Sequence, residues 1–395
     1  MMDDTLSAFA GVTPEHVANR ARLSQTGCSV NPKLLFLKDE VSESLAKISS
    51  WSGYQPTPLV PLAGLARELG IAELSYKDEG SRFGLGSFKA LGGAYAVNCL
   101  VGAISADASS ITVTSATNGN HGLSVAWGAK NHGCQCVIFI HSEVSAGREA
   151  ALKSQGAKVV RIEGNYDESV RQCYAEAESN GWLVISDTSK DDTGAEIARV
   201  VMAGYSVMVA EIVEQLAGDA PTHVFVQGGA GGLAATVCEY FRLTWGPVAP
   251  RFIIVEPDFA PCFFESAKNG KPVSVEVRQE TVMAGLSCGE VSTIAWPTIH
   301  QFADDFLTIP DSIVAPTMRL LADAPFGDPP IVAGESAVAG LAGFVSTRQQ
   351  ASLTSNLQLQ DDSHVLVIGT ESATDSALYE SLTGRSVASV QRARI

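Results

Sequence analysis

The segment THVFVQGGAGGLAATVCEYF, residues 222–241, decides the fold class. Its apolar, β-branched beginning is typical of a buried strand, which ends at Gln227. A glycine loop follows, and a helix begins near Leu233. A strand, a glycine loop and a helix in this order are typical of an α/β fold with a parallel sheet. Backbone N–H groups at such a helix start can hold a phosphate group, and glycines let it approach closely.

The glycine loop has two further interpretations. Gly229-x-Gly231-x-x-Ala234, with Glu256 at the end of the next strand, matches a relaxed dinucleotide-binding fingerprint. Alternatively, the glycines serve only the close packing of the helix on the strand. The segment alone does not choose between a phosphate loop, a dinucleotide site and a packing feature.

Outward from this segment, short β-branched runs alternate with helical patterns that end at glycine or just before it. Strands are predicted at 111–116, 136–140, 158–162, 182–186, 222–227, 251–257 and 364–370. This order predicts two doubly wound parallel-sheet domains with a ligand in the crevice between them. We place the large domain at 1–93 and 221–395 and the small inserted α/β domain at 94–220. The stretch 261–330 has the weakest pattern and receives no assignment.

The composition excludes several classes of partner. The chain has 27 Lys and Arg against 43 Asp and Glu, a net charge of −16, which disfavours nucleic acid or an anionic membrane as partner. No apolar run is long enough to span a bilayer, and the first residues are acidic where a signal peptide is basic. A cytoplasmic protein is therefore predicted.

The eight cysteines are scattered, without C-x-x-C pairs or a nearby histidine cluster. This pattern predicts free thiols and no metal site. Cys134 and Cys136 would point to one face of a strand, so a metal site that includes both is an alternative interpretation. No second pair of ligands lies nearby in the sequence, which disfavours it.

The segment SRFGLGSFKALGGAYAV, residues 81–97, places Lys89 between a glycine-rich turn and an apolar helix. The positive end of the helix dipole disfavours an ammonium group at this position. A desolvated lysine is the type that forms Schiff bases with carbonyl compounds. The alternative is a solvated first-turn lysine whose stem lies along the surface.

Two further segments follow strands and carry polar side chains. Ser115 to His121 form a polar turn before a helix, which is either an ordinary turn with a helix cap or a loop that binds a carboxylate. The segment after residue 369 brings Thr370 to the carboxyl end of a strand, and capping explains its neighbours Ser372 and Thr374.

Taken together and in this order, these segments resemble those of the fold-type II pyridoxal-phosphate-dependent enzymes. SFK at 87–89 resembles the cofactor-lysine motif, GNHG at 119–122 the asparagine loop and GGAGGL at 228–233 the phosphate loop. Within that superfamily the chain resembles the diaminopropionate ammonia-lyase family from about residue 30 to 380. The motifs that carry this narrower likeness are SRFGLGSFKALGGAYA, NYDESV, IIVEPD, MAGLSCGE at 283–290, GES at 334–336 and the terminal T-E-x-x-T-D.

The resemblance implies that pyridoxal 5′-phosphate is bound covalently by Lys89. It also implies that Phe88 lines the ring, that Asn120 meets its phenolic oxygen and that Thr370 faces its pyridine nitrogen. The phosphate is then held by Gly228, Gly229, Ala230, Gly231, Gly232 and Leu233.

The implied reaction is β-elimination from an amino acid. The Lys89 amine removes the Cα proton, a group leaves Cβ, and hydrolysis gives a 2-oxo acid and ammonia. For 2,3-diaminopropionate the products are pyruvate and two ammonia, and the family implies a homodimer. The implied catalytic residues are Lys89, Asn118 and Asp187, and the implied substrate-binding residues are Ser115, Thr117, Asn118, Gly119, His121 and Asp187.

One departure from the family bears on the substrate. The family's loop reads T-D-G-N-H-G, with an aspartate that removes a proton from the D-isomer, whereas this chain has Asn118. An amide cannot act as a base, so the L-isomer is the expected substrate. Asp187 matches a second family aspartate, and Asp191 and Asp192 are either substitutes for the missing charge or solvated loop residues.

Three alternative functions stay open at this point. Asn118 can donate a hydrogen bond to a hydroxyl group, which suits a dehydratase of serine, threonine or a 3-hydroxy amino acid. Elimination from another β-substituted amino acid is the second alternative. A catalytically inactive ligand-binding protein is the third alternative. Such a protein would have no reason to retain Lys89, Asn120 and the phosphate loop together, which argues against it.

Overall fold

A computed structural model describes residues 5–24, 35–36, 38–104, 106–117, 119–189 and 192–394. Asn118 and Asp191, and the side chain of Asp192, lie outside what is described, so the predictions for them stay predictions. The described strands are β1 (Glu15–Ala18), β2 (Leu59–Pro61), β3 (Glu73–Asp78), β4 (Thr112–Ala116), β5 (Gln135–His141), β6 (Lys158–Ile162), β7 (Leu183–Val184), β8 (His223–Gln227), β9 (Arg251–Pro257), β10 (Asp305–Ile309) and β11 (His364–Gly369).

The α-helices carry most of the remaining described chain. They are α1 (Ser7–Ala10), α2 (Arg20–Ser24), α3 (Lys38–Ser49), α4 (Ala63–Glu68), α5 (Lys89–Gly102), α6 (Asn120–His132), α7 (Ala146–Ser154), α8 (Tyr166–Asn180), α9 (Asp192–Gln215), α10 (Gly232–Trp245), α11 (Cys262–Asn269), α12 (Ala295–Phe302), α13 (Val314–Asp323), α14 (Ala339–Arg348), α15 (Ala351–Asn356), α16 (Ser376–Thr383) and α17 (Val387–Ala393). Short 3₁₀ helices lie at Glu79–Gly84, Ala108–Ser110, Gly246–Val248, Ala284–Leu286 and Asp311–Ile313. Among the residues just given, no helix is long and apolar enough to cross a bilayer.

The strands form two sheets. The larger has seven strands in the order β1-β10-β9-β8-β11-β3-β2, and the smaller has the order β6-β5-β4-β7. The inner pairs of the larger sheet and all pairs of the smaller one are parallel, whereas β1 and β2 pair antiparallel at the two edges. The predicted α/β class and parallel sheets are therefore confirmed.

The chain divides into two compact units. The larger comprises Met1–Leu35, Pro56–Ser81 and Val209–Ile395, and the smaller comprises Phe36–Gln55 and Arg82–Met208. The smaller unit therefore begins and ends earlier in the chain than the predicted segment 94–220, because α5 packs along α6 and α3 lies against α5.

The larger unit is built on buried strands. Every residue of β8 and of β10 is buried, including the polar His223, Gln227, Asp305 and Thr308. The stretch left unassigned by the sequence, 261–330, contributes β10 with α11, α12 and α13. Its pattern was weak because these elements are short.

Small residues determine the packing of the smaller unit. A Cβ on Gly128 would lie 2.7 Å from the Ala94 backbone, and one on Gly92 would lie 2.4 Å from the Tyr205 ring. The Ser124 hydroxyl, on α6, accepts a hydrogen bond from the backbone N–H of Ala94 at 2.9 Å. The run ALGGAYA therefore lets α5 approach both α6 and α9 closely.

Candidate active site

Two neighbouring strands of the smaller sheet end at the polar residues of this unit. Ser115 lies near the end of β4, Thr117 follows that strand, and Asp187 follows β7; the two strands pair in parallel. Parallel strands deliver their carboxyl ends to one edge of the sheet, which brings together segments far apart in sequence. The Asp187 carboxylate forms an ion pair with Lys89 Nζ at the start of α5.

Lys89 lies between two aromatic rings. Its Nζ is 5.3 Å from the centroid of Phe88 and 5.6 Å from that of Tyr205, whose rings are 4.7 Å apart. Ring faces attract an ammonium group, so these contacts favour its charged form. The side chain keeps 26% of its surface exposed, which leaves the amine within reach of a ligand.

The ion pair sets the protonation states. Burial acts to lower the pKa of Lys89, but the Asp187 carboxylate outweighs it and holds that pKa well above its usual value. Burial likewise acts to raise the pKa of Asp187, yet His121 and Lys89 hold it well below its usual range. The positive helix start disfavours the ammonium form of Lys89, but the Asp187 carboxylate contacts the amine directly and the net shift of the Lys89 pKa is upward.

His121 lies on the other side of Asp187. Its Nε2 is 3.0 Å from the Ile185 carbonyl oxygen, and its Nδ1 is 3.7 Å from Asp187 Oδ2. Burial lowers the pKa of His121, and the neighbouring Lys89 lowers it further, against the opposing effect of Asp187. Lys89, Asp187 and His121 thus form one cluster, which we call the lysine cluster.

The other predicted residues of this unit shape the polar turn. The Thr117 hydroxyl accepts hydrogen bonds from the backbone N–H of Gly119 at 3.0 Å and of Gly122 at 3.2 Å. Ser115 is buried at the end of β4, and Asn120 is the first residue of α6.

The glycine loop lies in the larger unit, between β8 and α10. Gly231 has φ = +100°, and a Cβ there would lie 2.4 Å from the Phe263 ring and 2.9 Å from Ala295 Cβ. The 14-residue α10 begins at Gly232 and has no acidic residue in its first turn. Its first N–H groups have no acceptor within the helix and lie at the positive end of its dipole, so this loop suits an anion such as a phosphate.

The dinucleotide interpretation of this loop fails on Glu256. Its carboxylate accepts hydrogen bonds from the backbone N–H of Phe263 at 2.9 Å and of Phe264 at 2.8 Å, at the start of α11. Glu256 is fully buried, and burial raises its pKa to about 7. A dinucleotide site needs this side chain to face ribose hydroxyls, whereas here it holds the first turn of a helix.

The loop's neighbours in the larger unit are motifs singled out in the sequence. β8 and β11 pair in parallel, so Gln227, the last residue of β8, and Thr370, the residue after β11, lie at the carboxyl ends of adjacent strands. Gln227 Nε2 donates to the carbonyl oxygens of Ala337 at 2.9 Å and Ile368 at 2.8 Å. Glu371 accepts from the backbone N–H of Ser336 at 3.1 Å.

Ser336 continues this connection toward the glycine loop. Its hydroxyl accepts a hydrogen bond from the backbone N–H of Gly285 at 3.1 Å, and the Gly285 carbonyl oxygen lies 3.4 Å from where a Cβ of Gly229 would be. The GES, MAGL and T-E motifs thus surround one loop.

The structure assigns the predicted residues to two groups. Phe88, Lys89, Ser115, Thr117, Gly119, Asn120, His121 and Asp187 belong to the smaller unit, and the glycine loop and Thr370 belong to the larger. Sequence reasoning missed Tyr205 and Gln227. Tyr205 carries no local signal on a long apolar helix, whereas a polar residue ending the buried run VFVQ could have drawn attention to Gln227.

The described cysteines, all but Cys28, form no disulfide bonds. Within the described ranges no three His, Cys, Asp or Glu side chains are grouped as metal ligands would be.

Comparisons with known proteins agree over most of the chain. Residues 51–371 match the pyridoxal-phosphate dependent enzyme family. Diaminopropionate ammonia-lyase of Escherichia coli (strain K12) is 36% identical over 362 residues, which cover 86% of this chain and 91% of that protein.

Two solved structures share the fold. The crystal structure of Escherichia coli diaminopropionate ammonia lyase in complex with D-serine matches with a TM-score of 0.86 at 33% identity, covering 94% of this chain and 96% of that one. The same enzyme in complex with an aminoacrylate-PLP azomethine reaction intermediate matches with a TM-score of 0.85 at 34% identity, covering 94% and 97%.

Proposed function

Because the chain belongs to the pyridoxal-phosphate-dependent enzymes and, within them, to the diaminopropionate ammonia-lyase family, we propose that it eliminates ammonia from 2,3-diaminopropionate. The products are pyruvate and two ammonia. The observation that carries this proposal is the Lys89 amine beside Asp187 at a partly exposed helix start. The Escherichia coli relatives with the same fold support it.

The residues present fit pyridoxal 5′-phosphate. We assign its phosphate to the glycine loop, because a helix start without acidic side chains suits a dianion. Lys89 supplies the amine that binds the aldehyde carbon, and Phe88 an apolar ring beside it. Asn120 and Thr370 are assigned to the ring oxygen and ring nitrogen. The bound cofactor supplies an electron sink for the carbanion that forms at Cα.

The chain's own groups then move the proton. The uncharged amine of Lys89 would take the Cα proton at Nζ. Asp187 attracts the ammonium group of the substrate and stabilises the ammonium form of Lys89 after proton transfer. Ser115, Thr117 and Gly119 belong to the turn assigned to the substrate carboxylate.

We propose that the L-isomer is the preferred substrate. Asp187 supports removal of one Cα proton through Lys89, whereas the Asn118 amide offers no base for the opposite face. The Asp187 carboxylate also provides the negative charge that a β-ammonium group requires.

A steady-state screen of the cofactor-loaded protein tests the proposal. It follows 2-oxo acid and ammonia from L- and D-diaminopropionate, L- and D-serine, L-threonine and 3-hydroxyaspartate. Two ammonia per pyruvate from L-diaminopropionate, with little product from the hydroxy acids, supports the ammonia-lyase. Turnover of the hydroxy acids alone would instead identify a dehydratase. Lys89→Ala must abolish turnover, and normal turnover in that variant would refute the assignment of Lys89.

We further propose a cytoplasmic homodimer. The resemblance to the family supports the dimer, and the buried thiols of Cys136, Cys173, Cys238 and Cys262, which form no disulfide bonds, suit a reducing compartment. Light scattering on the purified holoenzyme tests the first statement, and a mass of one chain would contradict it.

A further inference from the structure

The protonation of His121 follows from its hydrogen bond. A carbonyl oxygen can only accept, so Nε2, 3.0 Å from the Ile185 oxygen, carries the ring hydrogen. In the neutral ring Nδ1 therefore presents a lone pair. This atom is buried, has no hydrogen-bond partner among the described residues, and lies 3.7 Å from the Asp187 carboxylate. A lone pair facing a carboxylate is unfavourable unless a proton or a nearby cation offsets it.

In the cofactor-free chain that cation is Lys89. Its ammonium group pairs with the same Oδ2 atom of Asp187 that faces His121. When Lys89 Nζ loses its proton, the enclosed carboxylate loses its partner, which is costly in a site of low polarity. One proton on His121 Nδ1 supplies a new cation and replaces the lone pair with a donor.

We infer that His121 holds the proton that Lys89 gives up. When Lys89 is uncharged, Nδ1 is protonated, and when Lys89 is an ammonium group, Nδ1 is free. One N–H bond breaks at Nζ and one forms at Nδ1, with Asp187 between the two nitrogens. The cluster carries zero net charge in both states and needs no other reactant.

Two further titratable or charged groups of the described chain lie near the cluster, and neither replaces this role. The Tyr205 hydroxyl on α9 is fully buried, and burial raises its pKa, so it stays neutral. Arg148 on α7 lies near Gly119, with its Cδ 3.4 Å from where a Cβ of that glycine would be. It adds a positive charge beside the turn and cannot accept a proton.

The inference deepens the proposed function and rests on it for the role of Lys89. A lysine that must attack an aldehyde carbon, and later take a Cα proton, has to be uncharged at both moments. Asp187 alone would hold Lys89 in its ammonium form. A second proton site at His121 gives the cluster a state in which Lys89 is neutral and Asp187 still has a partner. His121 acts through Asp187, as a positioning residue.

The first test measures the titration of His121 directly. Histidine-labelled full-length protein is followed by NMR from about pH 5 to 9, as wild type without cofactor and as Lys89→Met. The methionine keeps the apolar stem and removes the charge. We expect the pKa of His121 to rise by at least about one unit in Lys89→Met, a tenfold change in proton affinity. An unchanged or lower pKa would overturn the inference.

The chain provides a matched control. His223 is buried, and its Nε2 lies 2.9 Å from the Leu357 carbonyl oxygen, but it belongs to the larger unit. Its titration should not move in Lys89→Met. Adding Asp187→Asn to Lys89→Met should abolish the rise at His121, because the carboxylate that attracts the proton is gone, and a persistent rise would contradict the inference.

The second test measures the reactivity of Lys89. His121→Gln keeps a side-chain N–H for the Ile185 carbonyl but cannot take up a proton. The pH midpoint for attachment of pyridoxal 5′-phosphate, read from its absorbance change, should move up by about one unit. An unchanged midpoint would refute the role of His121. The NMR result does not depend on turnover, so a failure of the proposed function and a failure of this inference are distinguishable.

Discussion

Replacing Gly231 by alanine tests how the close packing of the glycine loop supports the fold and the proposed phosphate site. The change acts at φ = +100°, where a Cβ would meet the Phe263 ring at 2.4 Å and Ala295 at 2.9 Å. Both neighbours are fully buried, so neither can move aside without repacking. A left-handed conformation costs an alanine roughly 1–2 kcal/mol, and overpacking costs about 1–3 kcal/mol more. We therefore expect Gly231→Ala to lower the free energy of unfolding by about 2–5 kcal/mol.

Gly270→Ala is the matched control. Gly270 has φ = +66° at the end of the helix that contains Phe263, and nothing lies within 4 Å of its would-be Cβ. Gly270→Ala should lower the free energy of unfolding by roughly 1–2 kcal/mol, because it introduces backbone strain alone. Urea unfolding of both variants, read by far-UV circular dichroism, separates the two contributions.

Cofactor binding supplies the second measurement. Gly231→Ala should weaken pyridoxal 5′-phosphate by at least about tenfold relative to Gly270→Ala, equivalent to about 1.4 kcal/mol. The affinity for pyridoxal, which lacks the phosphate, should change little. Equal stabilities of the two variants, or equal weakening of both ligands by Gly231→Ala, would refute the reasoning.

Three further predictions follow from single residues. Burial raises the folded-state pKa of Glu256 to about 7, above the value of 4.5 for an exposed glutamate. Its protonated form therefore adds about 3 kcal/mol to the free energy of unfolding at low pH, and this contribution is lost as the pH rises through 7. Urea unfolding of wild type and Glu256→Gln at about pH 5 and 8 should show this loss in wild type only, and parallel pH profiles would contradict it. Gly92→Ala should lower the free energy of unfolding by about 1–3 kcal/mol, because its Cβ would meet the Tyr205 ring at 2.4 Å. Gly102→Ala on the same helix, with no described neighbour closer than 4.0 Å, should raise it by about 0.5–1 kcal/mol. Thermal unfolding of the two variants checks this, and equal effects would be inconsistent with the packing described. Asn118→Asp should raise kcat/KM for D-diaminopropionate over the L-isomer, and an unaltered ratio of the two would rule out residue 118 as the stereochemical determinant.

The sequence predicted secondary structure well where the residues of one strand alone produce a recognisable pattern. The strands expected at 111–116, 136–140 and 158–162 are β4, β5 and β6, within a residue at each end. Each is a short β-branched run bounded by turn residues, so its pattern depends only on near neighbours. The strand expected at 182–186 is reduced to Leu183–Val184, because it pairs only with β4 at the edge of the sheet.

The family and the cofactor also followed from sequence. The segments that resemble the family's lysine motif and phosphate loop each consist of a few adjacent residues, since a phosphate loop needs its glycines in succession. The matching family and relatives confirm the resemblance. The roles assigned to individual site residues stay predictions, and for Asn118 the decisive experiment is the substitution above.

What the sequence determined by itself is therefore local: where strands and helices occur, that the sheets are parallel, and which short segments resemble those of the family. Only the tertiary structure decided which side chains meet. Lys89 and Asp187 are 98 positions apart, and they meet because β4 and β7 are neighbours and α5 packs on α6. The burial of Glu256 against α11 could not be predicted either, because the dinucleotide-binding pattern specifies the spacing of residues and not the hydrogen-bond partners of a carboxylate. Patterns along a chain reflect each residue's exposure, whereas charge pairing depends on strand order and helix packing, which arise only when distant segments fold together.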